Sequence, residues 1–501
     1  MSHPLAYSIA AIALAFPAMA SAQNQPPALD TATLSPAEQA EYPSHEHYPR
    51  KAIGESAVTG GFASSRWGED WREYRDPAKR DDLLDRLKYL PLDSNGDIYI
   101  TLSGEVRIRT EYYENPNLIE QPSERRDRLR VIGGADLHVG PNLRFYGELV
   151  HGDLGGHNVS TKSASWQNDL AVQQAFAELS GDIGGLEAGI RYGRQEFTDG
   201  SSQLLNTRDT LTVRVALNGT RAWLRGAKVR ADLFDFKFTD LGTGGIKDDR
   251  IDDGTRFSGA NLGFALPKDL FGGSEIYVDP FIWRLELDGF SWGGTTGRDR
   301  RNFYGTRIWG NAGRVGIDWT VNHQSGNFNG RKISAWQAFL SQSYRLGKSS
   351  NAPALTLKAD YASGGGGYND TNGTLHNATT PYGTNAYYSY QNGLTATNLI
   401  SIAPGLSLRP AKGVKLDTEY RFAWRDAEND AVYRPAAGHF AGTENVSGKY
   451  IGEMIRAQAS WSITPRVTLS GRYEHLFTGT VLERAGYSDS NFFSTWLSFR
   501  F

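Results

Sequence analysis

The 501 residues carry a formal net charge of −3, no cysteine, 12% aromatic residues and 56 glycines, with a mean hydropathy of −0.48. No stretch reaches the roughly 20 consecutive apolar residues of a spanning helix, so such a chain crosses a bilayer only as a closed barrel in which every backbone group finds a partner. The charge balance offers no basic patch of the kind a nucleic-acid partner needs, and without cysteine there is no disulfide scaffold.

Leu5 to Ala20 is an apolar run ending in Ala20-Ser21-Ala22, the small-x-small pattern of a secretory leader, which predicts residues 1–22 as a signal peptide and a mature start at Gln23. Residues 23–96 read as an N-terminal periplasmic or plug-like segment. Gln23 to Gly60 is rich in Pro, Ala and acidic residues and reads as a mobile lead. Arg66 to Trp71 and Pro77 to Leu90 read as helical, with Leu83, Leu84, Leu87 and Leu90 at the spacing of one helix face. A plug, a periplasmic cap and a linker helix packed on a barrel rim all fit this pattern.

From Asp97 to Phe501 the sequence becomes a row of segments of roughly nine to fifteen residues with a two-residue period, the signature of transmembrane β-strands. In Ile98 to Arg109 one parity is Ile, Ile, Leu, Gly, Val, Ile, and the other ends in Glu105, Arg107 and Arg109. Leu129 to Val139 repeats this with Arg130, Asp136 and His138, and Val414 to Trp424 with Lys415, Asp417, Glu419 and Arg421. About eighteen such segments start near residues 97, 128, 143, 170, 186, 213, 228, 255, 274, 302, 314, 333, 354, 398, 414, 449, 466 and 490. The expected fold is therefore all-β, a transmembrane antiparallel barrel of about 18 strands, even in number so that both ends lie on one side.

The connections alternate in length. Tight turns fall at Gly140-Pro141-Asn142, Gly181 to Gly185, Gly226-Ala227, Asn311 to Gly313, Pro410 to Gly413 and around Pro465. Long polar stretches run over Gly152 to Asp169, Gln195 to Thr212, Thr239 to Gly254, Ser363 to Thr397 and Asp426 to Lys449. Short periplasmic turns opposite long external loops mark an outer-membrane barrel. Trp309, Trp319, Trp424, Trp461 and Trp496 sit near strand ends, where interfacial aromatic girdles lie. Two acidic turns, Asp93 to Asp97 and Asp248 to Gly254, have calcium-like spacing. Counting from Asp93, however, the twelfth position, where a calcium loop needs a bidentate Glu, is Gly104. Both read as turns, and no metal or cofactor is expected.

Parity places Arg107, Arg109, Arg128, Arg130, Arg144, Arg191, Arg421, Arg425, Arg456 and Arg472 inside the barrel. It places Glu105, Glu111, Asp136, Glu148, Asp318, Asp360, Asp417, Glu419 and Glu474 with them. Guanidinium groups bind carboxylates bidentately and stay charged at physiological pH. An arginine-lined lumen with interleaved acids therefore suits transient binding of a polymer carrying one carboxylate per sugar.

Several runs resemble the alginate export domain family. They are Arg66-Trp67-Gly68-Glu69-Asp70-Trp71 followed by Arg75 to Arg80, then Leu102 to Arg107, Ala135 to Pro141, and Gly193-Arg194-Gln195-Glu196-Phe197. The similarity runs from about Arg66 to Phe501. It implies an outer-membrane barrel that exports an anionic polysaccharide through an arginine-rich constriction, with Arg194 added to the substrate path by the Gly193-Arg194-Gln195 match. Phe501 ends an alternating last strand and looks like the signal read by the outer-membrane assembly machinery; lipid, polysaccharide and periplasmic export proteins are the expected partners. Two other readings share the barrel. One is a general or uptake porin for anionic oligosaccharides. The other is an enzyme, because Asn322-His323-Gln324-Ser325 resembles the His-x-Ser stretch of outer-membrane phospholipase A, with Gln337 where that family has an orienting asparagine. Nucleophilic catalysis needs a base beside the serine and a group orienting that base, and a channel without covalent chemistry is the expected function.

Overall fold

The computed structural model describes residues 48, 49, 52, 58, 59, 62–159, 162–368 and 370–501. The expected signal peptide and most of the expected mobile lead lie outside the described residues.

Eighteen antiparallel strands of nine residues or more close into one barrel. They are β1 (Ile98–Glu114), β2 (Glu124–Val139), β3 (Leu143–His157), β4 (Asn168–Ile183), β5 (Leu186–Gln195), β6 (Leu217–Arg225), β7 (Val229–Asp240), β8 (Thr255–Ala265) and β9 (Glu275–Trp292), followed by β10 (Thr295–Ala312), β11 (Val315–Phe328), β12 (Arg331–Arg345), β13 (Ala354–Ala362), β14 (Leu399–Ala411), β15 (Val414–Trp424), β16 (Tyr450–Ser462), β17 (Val467–Thr478) and β18 (Ser490–Arg500). Each pairs with its sequence neighbours, and β18 closes on β1 from Asn491 opposite Glu114 to Arg500 opposite Glu105. Closure satisfies the edge groups that lipid leaves bare. At the seam the Gly104 and Phe501 backbones exchange hydrogen bonds of 3.0 and 3.1 Å. A Cβ on Gly104 would lie 2.4 Å from the Phe501 ring, so the terminal aromatic packs where a side chain is missing.

The alternation read from the sequence is the alternation of the wall. Val106, Ile108 and Tyr112 are exposed on the outer face of β1, whereas Glu105, Arg107, Arg109 and Glu111 between them are buried inside. At the end that also holds both barrel termini most strands are joined by tight turns, with longer connections only at residues 266–274 and 346–353, and the long loops lie at the other end. Two loop-end connections are tight as well, because β9 with β10 and β11 with β12 run on as extended hairpins turning at residues 293–294 and 329–330.

Three expectations change. Residues 77–90 do not form one helix: Pro77–Lys79 and Asp85–Leu87 are single 3-10 turns and Leu90–Pro91 pairs with β1, because Asp76, Asp82 and Asp85 side chains capture nearby backbone N–H groups instead. Trp319, Trp424 and Trp461 sit on outward positions, but Trp309 and Trp496 face inward. The Trp309 indole donates to Asp279 at 2.8 Å, and Trp496 stacks under Arg109 and Arg472. Nor is the lumen uniformly polar, since Phe234, Phe236, Phe257, Trp283 and Phe303 point inward and pack with Phe197, Leu204, Leu205 and Tyr382 from two loops. That core explains why Arg230 to Phe238 alternates poorly: the inner face of β7 is charged at Arg230 and Asp232 and aromatic at Phe234 and Phe236.

The acidic turns are held by their own backbone: Asp93 accepts from the Ile98 N–H at 2.9 Å, Asp248 from the Gly244 N–H at 2.7 Å and Asp252 from the Gly254 N–H at 2.9 Å.

Ile108 is 61% exposed on the lipid face, midway along β1. Replacing it with Arg should destabilise the barrel by about 2–4 kcal/mol, measured as the shift in urea unfolding in lipid vesicles. The same substitution at an inward position would not carry this lipid penalty, so equal costs at both would contradict the assigned register.

Candidate functional site: the lumen constriction

Two external loops turn back into the barrel and meet there. Residues 196–216, between β5 and β6, touch residues 363–398, between β13 and β14, through a parallel bridge from Leu205 to Tyr382. Each loop is tethered to wall charges. Asp209 lies 2.7 Å from Arg107 and 2.7 Å from Arg130, while the carbonyls of Asp209, Thr210 and Leu211 accept from Arg107, Arg109 and Arg130 at 3.1 to 3.4 Å. The Tyr387 carbonyl accepts from Arg421 at 3.2 Å and Arg456 at 2.8 Å. Glu474 accepts from the Ser389 hydroxyl at 2.7 Å and the Tyr390 N–H at 2.6 Å.

A small space of about 10 Å³ lies between Arg107, Arg109, Arg128 and Arg130 on one side and Asp209 to Thr212 on the other. That is near the limit for a single water. Four guanidiniums from adjacent strands thus converge on one loop. Glu105 sits behind them, 3.2 Å from Arg107, 2.5 Å from Arg130 and 2.8 Å from Arg500. Glu111 lies 2.6 Å from Arg109 and 2.9 Å from Arg128. Glu105 and Glu111 are nearly inaccessible, but the Asp209 side chain is 41% exposed. Although burial opposes it, Arg107 and then Arg130 hold the Asp209 carboxyl well below the usual carboxylate range.

The other lumen residues fall into further clusters. Arg421 pairs with Asp360 at 3.2 Å and Glu419 at 2.9 Å, and Arg456 with Glu419 at 2.9 Å and Glu474 at 3.1 Å. Arg144 pairs with Asp136, and Arg191 with Glu178 at 2.5 Å under the Trp67 ring. Arg472 bonds Gln458 at 2.7 Å and lies over the Tyr390 and Trp496 rings. Asp318 pairs with Arg307 at 2.7 Å and Asp417 with Lys415 at 2.9 Å.

Two expected lumen arginines lie elsewhere. Arg194 shares the outward parity of Ile190 and Tyr192, both exposed, and bonds Asp249 at 3.1 Å and the Val172 carbonyl at 3.0 Å on the outer face. Arg425 stands beyond the end of β15 and is fully buried. It donates to the carbonyls of Asp430 at 2.9 Å, Thr443 at 2.6 Å and Gly448 at 2.7 Å, and to that of Val446, so it pins residues 426–449. The His-Ser stretch does not assemble a relay. His323 Nε2 lies 3.4 Å from Ser334 rather than at Ser325, and Gln337 is buried on the opposite face, where it bonds Asn322 and Gln324.

Sequence reasoning missed the residues that loops and the N-terminal segment bring in. Arg66 reaches Glu105 at 2.7 Å and Glu148 at 3.1 Å, so the segment enters the barrel from the turn end. The Ser65 hydroxyl donates to Glu196 at 2.6 Å, and Arg214 donates to the Ser64 carbonyl at 2.6 Å. Farther out, Lys88 sits over the Trp71 and Phe501 rings, and burial pulls its amine down to about 8. A cavity of about 580 Å³ remains between this segment and the wall, and one of about 350 Å³ on the loop side, lined by Phe238, Leu287, Phe290 and Tyr382 among others. Aperiodic loops give no strand signal for Asp209 or Glu196; the only sequence signals near these residues are the family-resembling runs Arg66 to Trp71 and Gly193 to Phe197.

Burial, reinforced by Glu148 and opposed by Arg214, pushes the Glu196 carboxyl up to about 7. A carboxyl raised above its unfolded value loses stabilisation as pH rises from the unfolded value to the folded one. The folded state therefore loses stabilisation at Glu196 between about pH 4.5 and 7 as the buried carboxyl is forced to ionise, even though Ser65 and Arg214 both favour the carboxylate. Stability to urea unfolding should fall across that window, and Glu196→Gln should flatten the fall; an unchanged pH profile in that variant would reject this account.

Solved outer-membrane porins are similar in shape. The chain superposes on Acinetobacter baumannii OccAB1 with a TM-score of 0.54 at 12% identity, covering 83% of this chain and 99% of that one. Pseudomonas aeruginosa OpdQ gives 0.53 at 9% identity, covering 80% and 97%, and P. aeruginosa OpdK, solved with vanillate, 0.51 at 11%, covering 80% and 98%. These likenesses carry the fold. No curated protein is similar enough in sequence to match. The alginate export family model matches residues 98–495, well over half of the chain and nearly the whole barrel. The chain is an outer-membrane β-barrel channel and belongs to the alginate export family.

Proposed function

We propose that the channel passes an anionic polysaccharide of the alginate type outward across the outer membrane, with the constriction arginines as transient carboxylate sites and without covalent chemistry. The observation that carries this is Asp209. A solvent-accessible loop carboxylate bridges Arg107 and Arg130 at 2.7 Å each, as the carboxylate of a passing uronate would. Exchange of one carboxylate for another leaves both guanidiniums paired throughout, which avoids the cost of an uncompensated buried charge. Removing the loop carboxylate from its seat also draws Thr210 to Thr212 away from Arg107, Arg109, Arg128 and Arg130. Glu105 and Glu111 keep the arginines from binding any one sugar too tightly, since a conducting site must also release. Arg421, Arg456 and Arg472, facing the tyrosines of the second loop, continue the cationic lining toward β15 to β17. Export is favoured by the family resemblance, and the same lining serves uptake of anionic oligosaccharides as the second reading. Phe501, packed at the closing seam, is proposed as the mark read during barrel assembly.

In planar bilayers the channel should be anion-selective and its current should be blocked by added polyuronate. Arg107→Gln with Arg130→Gln should weaken the block by about tenfold or more, the scale of two lost charge-assisted hydrogen bonds, and Asp209→Asn should raise anion conductance. Cation selectivity, or indifference to polyuronate, would overturn the proposal. Net flux of labelled oligouronate out of or into vesicles of known protein orientation decides the direction.

A further inference from the structure

The outer surface of the barrel carries a second charged site. Strand register orders its residues into rows. The row formed by Leu233, Ala260, Ile282, Tyr304, His323 and Trp336 crosses β7 to β12 at one level. Leu233, Ile282, Tyr304 and Trp336 are each about half exposed or more, and an aromatic edge of this kind marks the boundary of the lipid belt. One step toward the loop end stands Arg284. Two steps up, Arg256, Glu286, Arg300 and Lys332 follow on β8, β9, β10 and β12, and Arg298 is one step higher. These cations therefore face outward at headgroup level, on the external side.

Arg256, Arg284, Arg298 and Arg300 keep between 45% and 55% of their side-chain surface exposed. Asp235, Glu286 and Asp288 hold three of them, with Asp235 at 2.7 Å from Arg256 and Glu286 at 2.7 Å from Arg284. A guanidinium has five N–H donors and a carboxylate engages about two of them, so these acids orient the arginines and leave donors open. Arg300 stands 3.5 Å from Glu286, and among the described residues Lys332 has no carboxylate within ion-pair distance. The opposite arc differs in sign: its outward strand positions near the loop end include Glu114, Asp127, Asp153 and Glu453, with Arg125 3.0 Å from Asp127. Keeping a rim hydrated does not require such a separation of charge.

We infer that the outer face of β8 to β12, just beyond the Tyr304 and Trp336 edge, binds the phosphate-bearing headgroup of an anionic outer-leaflet glycolipid. Arg256, Arg284 and Arg300 stand on three adjacent strands and span about 10 Å, enough for more than one phosphate. Arginine pairs with phosphate bidentately. Acyl chains below would lie along Ile282 and Leu233, so one molecule satisfies both the apolar row and the cationic rows. This site is separate from the lumen, and its test does not depend on what the channel carries.

The full-length protein, reconstituted in phosphatidylcholine vesicles doped with bisphosphorylated lipid A and extracted mildly, would be weighed intact by native mass spectrometry. Wild type should retain lipid A. The triple variant Arg284→Gln, Arg298→Gln, Arg300→Gln should retain about tenfold less, the combined scale of three exposed charge contacts. Arg125→Gln should retain as much as wild type, and heat-modified gel migration would show that each variant is folded. Equal retention by the triple variant, or equal retention of lipid A stripped of its phosphates, would overturn the assignment. Complete displacement by an equal concentration of inorganic phosphate would do so too, by assigning the site to free phosphate.

Discussion

Everything in this molecule depends on the closing of β18 onto β1. Backbone N–H and C=O groups have no water to turn to in hydrocarbon, so the wall exists only if its last strand pairs with its first from Asn491 to Arg500. Once that seam is made, the period of two divides every strand into a lipid side and an enclosed side. Charge inside and apolar surface outside become compatible in one chain, which is how a protein of mean hydropathy −0.48 spans a membrane. Burying so many arginines is tolerable because wall carboxylates, loop carbonyls and aromatic rings receive them.

The loops narrow a wide cylinder. An eighteen-stranded wall leaves a lumen too broad for its side chains to meet across it. Residues 196–216 and 363–398 fill part of that width with an apolar core around Phe197, Phe257 and Tyr382, and they bring Asp209 and the Tyr387 carbonyl to the wall arginines. The constriction is therefore held by ionic and backbone contacts rather than by packing alone. Such contacts are exchangeable for an incoming carboxylate in a way that a packed side chain is not. From the other end the Arg66 segment enters to pair with Glu105, the same carboxylate that serves Arg107 and Arg130. The N-terminal segment and the loop of residues 196–216 thus share one charge network, and a change in either alters the electrostatics felt by the other.

Outside the barrel, the uneven distribution of rim charge has its own logic. The extended hairpins of β9 to β12 carry the strand pairing past the aromatic edge, so positions that alternate to lipid below it alternate to headgroups above it. The change along β9 from Ile282 to Arg284, Glu286 and Asp288 records that boundary.

The sequence by itself determined the barrel. Eighteen segment starts were readable because lipid on one side and water on the other leave a two-residue signature in strands such as β1 and β15, and turn residues mark where each strand ends. The same parity put Arg107, Arg130, Arg421 and Arg456 inside. Tertiary structure alone decided what those charges meet, since Asp209, Glu196 and Arg66 lie in segments with no period and reach the wall from far along the chain. It also decided where sequence expectations fail: Arg194, placed in the path by the family match, falls on the outer face near the positive-φ Gly193, Arg425 leaves the wall to pin a loop, and Trp309 and Trp496, expected in the girdles, turn inward toward charged partners. The physical reason is one of range. Alternation is a local consequence of strand geometry, whereas the constriction is made by contacts between residues as distant as Arg107 and Asp209 or Ser389 and Glu474, which no local pattern encodes.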